Sequence, residues 1–216
     1  MQLVAVVDYG GSNLRSVAKA VEFVADDRHE VRITDNPTDI LNADRVVFPG
    51  QGAIGDCMGR LVERGLITTL QECLRTRPFF GICLGLQSLM QTSDEDGGVA
   101  CLAAYPGFVR RFRADAGPNP DGTPRKIPHM GWNQVKWSKP HPLVAGIASG
   151  SRFYFVHSYF VVPDDDAVVM GRTEYIDSFV SALATGFVFA TQFHPEKSAT
   201  AGLQLLRNFL QWDGTV

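Results

Sequence analysis

The stretch Phe79-Phe80-Gly81-Ile82-Cys83-Leu84-Gly85-Leu86-Gln87 decides the fold of this chain. Its first half is a short apolar run, which predicts a strand buried inside a sheet. Leu86, Leu89 and Met90 recur at the spacing of one helix face, which predicts a helix directly after the strand. We therefore expect a sharp strand-to-helix turn at Cys83 that holds its side chain exposed above the edge of a sheet.

A thiol at this position would lie at the N-terminus of a helix. The positive end of the helix dipole favours the thiolate, so Cys83 is a candidate nucleophile. The alternative is that Cys83 is a small core residue, which is the commoner role of a lone cysteine among apolar neighbours. Residues elsewhere in the chain must decide between the two.

Length and composition restrict the class of protein. The chain has 216 residues, of which 45% are hydrophobic and 20% charged, as expected for one globular domain spanning residues 1–216. The net charge of −3 does not favour nucleic acid as a partner. No apolar run reaches the roughly 20 residues of a membrane span, and residues 1–8 are typical of a first strand rather than a signal peptide. Four widely spaced cysteines, with no Cys-x-x-Cys pair, indicate free thiols in a reducing cytoplasm.

The first half of the sequence alternates strand and helix patterns. Strands are expected at residues 3–7, 31–34, 46–48 and 79–83. Two helical faces are marked by Leu14, Val17, Ala18, Val21, Val24 and Ala25, and by Met58, Leu61, Val62, Ile67, Leu70 and Leu74. Ser12 or Asn13 is the expected N-cap of the first helix. Repeated strand–helix units favour a parallel sheet covered by helices on both faces.

The second half is rich in strand patterns. They occupy residues 108–112, 134–137, 152–160, 168–170, 178–183 and 187–193, and a final helix is marked by Leu203, Leu206, Phe209 and Leu210. Residues 114–126 are rich in Pro, Gly and Asp and predict an exposed loop. We therefore expect an α/β fold: a three-layer sandwich with a central, mostly parallel sheet, helices on both faces and a β-rich second half.

His194 and Glu196 lie two residues apart at the end of an apolar run. Side chains at i and i+2 of an extended strand point to the same face, so the imidazole and the carboxylate can point in one direction. A carboxylate beside a histidine fixes its tautomer and stabilises its charged form. Such a histidine can take the proton of a cysteine and later protonate a leaving amine. The alternative is a surface His and Glu at a strand end.

The turn Pro49-Gly50-Gln51-Gly52 follows a predicted strand. Acyl transfer places negative charge on a carbonyl oxygen, and backbone N–H groups of such a turn can stabilise it. A glycine-rich turn alone is a weak signal. It lacks the Lys-Ser/Thr ending of a phosphate-binding loop, and no metal-ligand cluster is evident, so we expect neither a metal nor an organic cofactor.

Three segments together resemble the class I, triad-type glutamine amidotransferases. They are Pro-Gly-Gln-Gly at 49–52, Gly-Ile-Cys-Leu-Gly-Leu-Gln at 81–87 and Gln-Phe-His-Pro-Glu-Lys at 192–197. The resemblance implies a nucleophile at Cys83, a base at His194 and an orienting acid at Glu196. It implies an oxyanion hole from the amides near Gly52 and of Leu84. The positions implied to bind substrate glutamine are Gln87, Glu95, Gly50, Ser158 and Tyr159.

Further segments resemble one branch of that family, the glutaminase subunits of imidazole glycerol phosphate synthase. They include Pro-His-Met-Gly-Trp-Asn at 128–133 and Tyr-Phe-Val-His-Ser-Tyr at 154–159. The resemblance implies a heterodimer with a separate cyclase subunit, whose interface would include Asn13, Trp132, Asn133, Tyr154 and Lys197. Trp132 and Tyr154 could instead be core aromatics. Gln51 departs from the valine usual in this turn, which leaves its role open.

The activity implied by the resemblance is hydrolysis of L-glutamine to glutamate and ammonia. The ammonia would feed the cyclase, which makes imidazole glycerol phosphate and an aminoimidazole carboxamide ribotide in histidine biosynthesis. Three alternatives remain: another amidotransferase subunit, such as that of anthranilate synthase; a non-catalytic regulatory partner; and a free-standing hydrolase. The intact Cys83, His194 and Glu196 argue against the second.

Overall fold

The computed structural model describes residues 1–11, 13–114, 117–118, 122 and 126–215. Within these residues, strands β1 to β7 span Gln2–Val7, His29–Thr34, Arg45–Gly50, Phe79–Cys83, Thr92–Ser93, Val99–Ala100 and Gly107–Arg111. Strands β8 to β14 span His129–Gln134, Lys136–Trp137, Arg152–His157, Tyr159–Pro163, Val169–Glu174, Ser178–Thr185 and Val188–Thr191. Helices α1 to α6 span Leu14–Val24, Pro37–Asn42, Ile54–Glu63, Ile67–Thr76, Leu84–Gln87 and Ala199–Gln211. The Ser12 cap and most of the expected loop at 114–126 lie outside the described residues.

Twelve strands of the described chain join into one sheet with a parallel centre. The order β2-β1-β3-β4-β14 is parallel throughout. The strands beyond it, β13, β11 and β7, pair antiparallel. Strands β8 and β10 form a separate antiparallel pair. The expected fold class is therefore confirmed, and β14 brings a strand of the second half into the parallel centre.

Helices cover both faces of the sheet, because alternate residues of a strand point to opposite sides. Val4 and Val6 of β1 belong to a core that includes α1 and α6. Ala5 and Val7 belong to a second core with α3 and α4 on the other face. Full burial of a large apolar side chain such as valine stabilises the folded state by roughly 1.5–3 kcal/mol. The three layers fix the carboxyl ends of β3, β4 and β14 side by side.

Two helix predictions in the first half are wrong in extent. The apolar pattern from Met58 to Leu74 is two helices, α3 and α4, separated by a turn at Gly65 with φ +66°. Both helices bury the same side against the sheet, so the apolar spacing continues through the break. The helix after Cys83 is one turn, and Leu89 and Met90 are buried in the turns that follow it. Helix α2 was not predicted, because it buries only Ile40.

Two strand predictions in the second half join separate strands. The expected strand at 152–160 is β10 and β11, interrupted at Ser158 where the chain passes from the small sheet to the main one. The expected strand at 134–137 is the end of β8 followed by β9. In both cases the strand pattern of the sequence continues through the break and does not show it. The bend at Ser158 faces the cavity beside Cys83.

All four cysteines lie in the described part of the chain, and none forms a disulfide. That state agrees with the free thiols expected from their spacing. Among the helices described, none is long and apolar enough to span a lipid bilayer.

Candidate active site

Strand β4 ends and helix α5 begins at Cys83, as the sequence predicts. The backbone of Cys83 has φ 56° and ψ −103°, a conformation that costs a non-glycine residue about 1–3 kcal/mol. Two glycines permit the tight turn. A Cβ on Gly85 would lie 2.0 Å from the carbonyl oxygen of Phe48, and one on Gly81 would lie 2.7 Å from that of Gly85. Close packing therefore holds the strained turn at the carboxyl edge of the sheet.

The thiol of Cys83 is less accessible than expected. The residue is 6% exposed, so the expectation of a side chain standing exposed above the sheet is wrong. Gln192, which follows β14, covers one side of the thiol and donates from Nε2 to Sγ at 3.6 Å. The remaining accessible surface faces a cavity of about 430 Å³. A substrate that enters this cavity can still reach the sulfur.

His194 and Glu196 form a buried pair. Nδ1 of His194 lies 2.9 Å from Oε1 of Glu196, and both side chains are almost completely inaccessible. The pairing was expected, but its geometric reason was wrong: β14 ends at Thr191, and Glu196 lies in a 3-10 turn, Pro195–Lys197. The turn, rather than an extended strand, brings the carboxylate back to the ring.

Backbone contacts fix the histidine. The N–H of His194 donates to the carbonyl oxygen of Tyr154 at 2.9 Å. The hydroxyl of Ser198 donates to the carbonyl oxygen of His194 at 2.6 Å and accepts from the N–H of Tyr154 at 3.0 Å. These bonds fasten the segment after β14 to strand β10. The ring Nε2 of His194 is buried and has no hydrogen-bond partner among the described residues.

The electrostatics of the pair favour an imidazolium. Burial alone would lower the pKa of His194, but the nearby Cys83 and Glu196 outweigh it and raise the pKa to about 9. Burial alone would raise the pKa of Glu196, but the hydrogen bond and charge of His194, with a contribution from Asn13, lower it. At neutral pH the charged ring therefore lies between a carboxylate and the sulfur.

Asn13 has a role that its sequence position did not reveal. It occupies the N-cap position of α1 with φ 73°, as expected, yet its side chain makes no capping hydrogen bond. Its Nδ2 instead donates to Oε1 of Glu196 at 2.7 Å. A left-handed backbone, which asparagine tolerates, turns the amide away from the helix and toward the carboxylate. The result is a chain of contacts from Asn13 through Glu196 to His194.

The turn expected to form the oxyanion hole lies beside the nucleophile. Gly50 at the end of β3 is the register partner of Cys83 in β4. Gly52 follows with φ +103°, a conformation that suits glycine. Gly52 and Leu84 line the same cavity as Cys83. Gly50 does not line the cavity. A Cβ at this position would lie 2.7 Å from Cβ of Leu84, so the close packing of the two turns requires a glycine.

The other residues expected to bind glutamine surround this cavity. Gln87, Glu95, Ser158 and Tyr159 all line it. The amide nitrogen of Gln87 already donates to the carbonyl oxygen of Tyr159 at 2.9 Å. Glu95 accepts from the N–H of Ile54 at the start of α3, at 2.9 Å, and burial raises its pKa. Glu95 therefore also stabilises the end of the oxyanion turn.

The expected interface residues divide into two groups. Tyr154 and Lys197 line the cavity. Trp132 is 44% exposed and is the register partner of Tyr154 across the β8–β10 pair, with ring centroids 6.1 Å apart. Neither aromatic is a core residue. Asn133 is half-buried, and its Nδ2 donates to the carbonyl oxygen of Glu174 at 2.8 Å.

Sequence reasoning missed a polar contact of the thiol and a histidine pair, of which His157 lines the cavity. Gln192 contacts the sulfur directly, and its place in the segment at 192–197 was the available signal. His129 and His157 form a buried pair, with Nδ1 of His129 3.0 Å from Nε2 of His157. Burial lowers the pKa of His129 to about 4 and that of His157 to about 3, so both are neutral at pH 7. They occur in the segments at 128–133 and 154–159, but no pattern indicated that they meet.

Comparison with known proteins agrees with this geometry. The family model of the class I glutamine amidotransferases matches residues 5–212. The chain belongs to this family. Two solved structures share the fold of this amidotransferase at low sequence identity. The glutaminase domain of Trypanosoma brucei CTPS matches with a TM-score of 0.61 and 18% identity, over 100% of this chain and 96% of that one. A glutamine amidotransferase of Thermotoga maritima matches with a TM-score of 0.68 and 15% identity, over 97% of this chain and 96% of that one.

Curated relatives place this amidotransferase in one branch of the family. It is 53% identical to imidazole glycerol phosphate synthase subunit HisH of Nitrosococcus oceani, over 99% of each chain. It is 51% identical to the protein of the same name from Methylococcus capsulatus, over 99% of this chain and 98% of the relative. A relative of the same name from Dechloromonas aromatica is 53% identical, over 98% of this chain and 97% of the relative. The chain is thus a HisH-type class I glutamine amidotransferase.

Proposed function

We propose that this chain is the glutaminase subunit of an imidazole glycerol phosphate synthase and acts through a Cys83–His194–Glu196 triad. The observation that carries the proposal is the meeting of three separate segments around the thiol of Cys83. The strained turn at Cys83 and the turn at Gly52 line one cavity, and His194 of the histidine–carboxylate pair interacts with Cys83. The identity of about half of all residues to HisH proteins supports the same branch of the family.

The first half of the reaction forms a thioester. The sulfur of Cys83, as thiolate, attacks the side-chain carbonyl carbon of glutamine, and the carbonyl oxygen takes negative charge. The amides near Gly52 and of Leu84 stabilise that charge. His194, protonated because its pKa is raised to about 9, gives its proton to the leaving nitrogen, and ammonia departs. A γ-glutamyl thioester remains on Cys83.

The second half releases glutamate. His194 is now neutral and takes a proton from a water molecule, whose oxygen attacks the thioester carbon. The carbon–sulfur bond breaks, and glutamate leaves with the thiolate and imidazolium restored. Glu196 holds the tautomer of the ring through Nδ1, so Nε2 is the atom that exchanges protons. Asn13 holds Glu196 in turn.

The ammonia passes to a partner cyclase subunit in this proposal. Tyr154 and Lys197 line the cavity, and Trp132 and Asn133 lie on β8, which pairs with the strand that carries Tyr154. Asn13 contacts Glu196 of the triad. They are the residues we assign to the interface. The cyclase then forms imidazole glycerol phosphate and the aminoimidazole carboxamide ribotide. The unpaired cysteines support a reducing, cytoplasmic setting.

The proposal is tested by reconstitution. Glutamate release from glutamine is measured for the chain alone, with a cyclase subunit, and with the cyclase and its nucleotide ligand. We expect the highest rate in the last mixture, together with formation of imidazole glycerol phosphate. An anthranilate synthase partner serves as the control and should have no effect. Strong turnover that no partner changes would instead favour a free-standing hydrolase.

A further inference from the structure

The side chain of Gln192 bridges the nucleophile and a residue expected to bind substrate. Gln192 is 0% exposed and lies 109 residues from Cys83 in sequence. Its Nε2 is 3.6 Å from Sγ of Cys83, and its Oε1 accepts from Nε2 of Gln87 at 3.1 Å. Its own backbone N–H donates to the carbonyl oxygen of Ser181 at 2.9 Å. The whole residue is therefore fixed within the sheet edge.

The orientation of both amides follows from one backbone carbonyl. The carbonyl oxygen of Tyr159 can only accept, so the group of Gln87 that lies 2.9 Å from it must be the nitrogen. The same nitrogen faces Gln192, which must therefore present its oxygen. The nitrogen of Gln192 is then left facing the sulfur. Reversing Gln192 would place two N–H groups against each other and an oxygen against a thiolate.

The neutral histidine pair continues this order of donors and acceptors. Nδ1 of His157 lies 2.8 Å from the carbonyl oxygen of Tyr159, so it carries the proton. Its Nε2 then accepts from Nδ1 of His129 at 3.0 Å. Tyr159 is thus held from two sides, by His157 and by Gln87. This support leaves the amide of Gln192 one stable orientation.

We propose that Gln192 is a positioning residue for the nucleophile: its Nε2 donates to Sγ of Cys83, and Gln87 fixes the direction of that bond. The inference deepens the proposed function and rests on it. The bond stabilises the thiolate, because a donor to an anionic acceptor makes a stronger bond than one to a neutral thiol. It also keeps the sulfur directed at the cavity. Gln87 is left with its own Oε1 as the atom available to a substrate.

The test is the pH profile of Cys83 alkylation by iodoacetamide in the whole chain, with the modified residue located by peptide mass spectrometry. The variant Gln192→Met keeps the volume and removes the donor. We expect the midpoint of its profile to rise by about one pH unit, which is about tenfold slower alkylation at pH values below the midpoint. The titratable groups that interact with the sulfur are His194 and Tyr9, and this variant leaves both in place.

Two further variants keep the test decisive. Gln192→Glu has the shape of glutamine and places a carboxylate beside the sulfur, so its midpoint should rise further. Gln71→Met is the matched control, because it removes an amide that donates to the carbonyl oxygen of Leu102, at 3.1 Å, rather than to the thiol. Its profile should match the unmodified chain.

The kinetic signature distinguishes positioning from substrate binding. In the complex with the cyclase, Gln192→Met should lower kcat for glutamine about tenfold and leave KM within about twofold. A folded Gln192→Met or Gln192→Glu variant with an unchanged alkylation profile would overturn the inference. Because alkylation needs neither glutamine nor a partner, that result is separate from failure of the proposed function, which reconstitution measures.

Discussion

Helix α6 holds the turn that carries Glu196, and Gly202 makes the contact possible. A Cβ on Gly202 would lie 2.0 Å from the carbonyl oxygen of Pro195 and 2.8 Å from Cβ of Ser198. Backbone at such a distance must move, here by about 1 Å, to reach a tolerable contact. The change Gly202→Ala therefore displaces the turn Pro195–Lys197, although Gly202 itself does not line the cavity.

The expected effects follow from that displacement. Overpacking of this kind lowers the free energy of unfolding by about 1–3 kcal/mol. The 2.9 Å bond between Nδ1 of His194 and Oε1 of Glu196 would be lengthened or misaligned. A misplacement of about 1 Å at a catalytic group can reduce the rate about 100-fold. We expect kcat for glutamine to fall by that order, with a smaller change in KM.

The assay compares two glycine variants. Gly202→Ala and Gly59→Ala are measured by urea unfolding and by glutamate release in the complex with the cyclase. Gly59 is an exposed residue of α3, and nothing lies within 4 Å of a Cβ built there. Alanine should stabilise that helix by about 0.5–1 kcal/mol and leave the rate unchanged. A Gly202→Ala enzyme as stable and as fast as the unmodified one would refute the idea that α6 positions Glu196.

Two other changes test the surroundings of the triad. Asn13→Gly keeps the left-handed backbone and removes the 2.7 Å bond to Glu196, so kcat for glutamine should fall about tenfold. Asn13→Asp should reduce kcat further, because it places a like charge beside Glu196; equal rates for the two variants would contradict this. The buried histidines predict loss of stability in acid. Burial lowers the pKa of His129 to about 4. Between about pH 6.5 and pH 4, the unfolded chain therefore binds a proton at this residue and the folded chain does not. Between pH 7 and pH 5, His129 alone should lower the free energy of unfolding by about 2 kcal/mol. In His129→Gln, the free energy of unfolding measured with urea should depend less on pH over that interval. The same pH dependence as in the unmodified chain would contradict this prediction. His194 has the opposite effect on stability in acid, because its pKa is raised. The stabilisation that it contributes is fully present below about pH 6.5 and is lost as the pH rises through about 9.

The parts of the fold that could be predicted depend on local pattern. Strand β4 was expected at its observed bounds, because a strand buried on both faces is a continuous apolar run that ends at a turn signal. The prediction at residues 152–160 joins two strands that are separate. There β10 and β11, which belong to different sheets, follow each other through Ser158, and the apolar pattern does not show the bend.

The parts of the site that could not be predicted depend on long-range contacts. Cys83, His194 and Glu196 belong to segments whose residue types indicate their chemistry. The bond between Asn13 and Glu196 joins residues 183 positions apart, and its geometry depends on how α1 meets the segment after β14. The contact between Gln192 and Cys83 depends on β14 lying beside β4 in the sheet. No local periodicity encodes either contact.

The central claim is that Cys83 is the nucleophile of a glutaminase that supplies ammonia to a partner. The most direct test is the variant Cys83→Ala in the reconstituted complex, with product formation measured once with glutamine and once with ammonium salt as the nitrogen source. The account predicts that glutamine-dependent synthesis falls to background while ammonia-dependent synthesis remains, because free ammonia does not need the thiol. Glutamine-dependent synthesis that persists in Cys83→Ala would contradict the account.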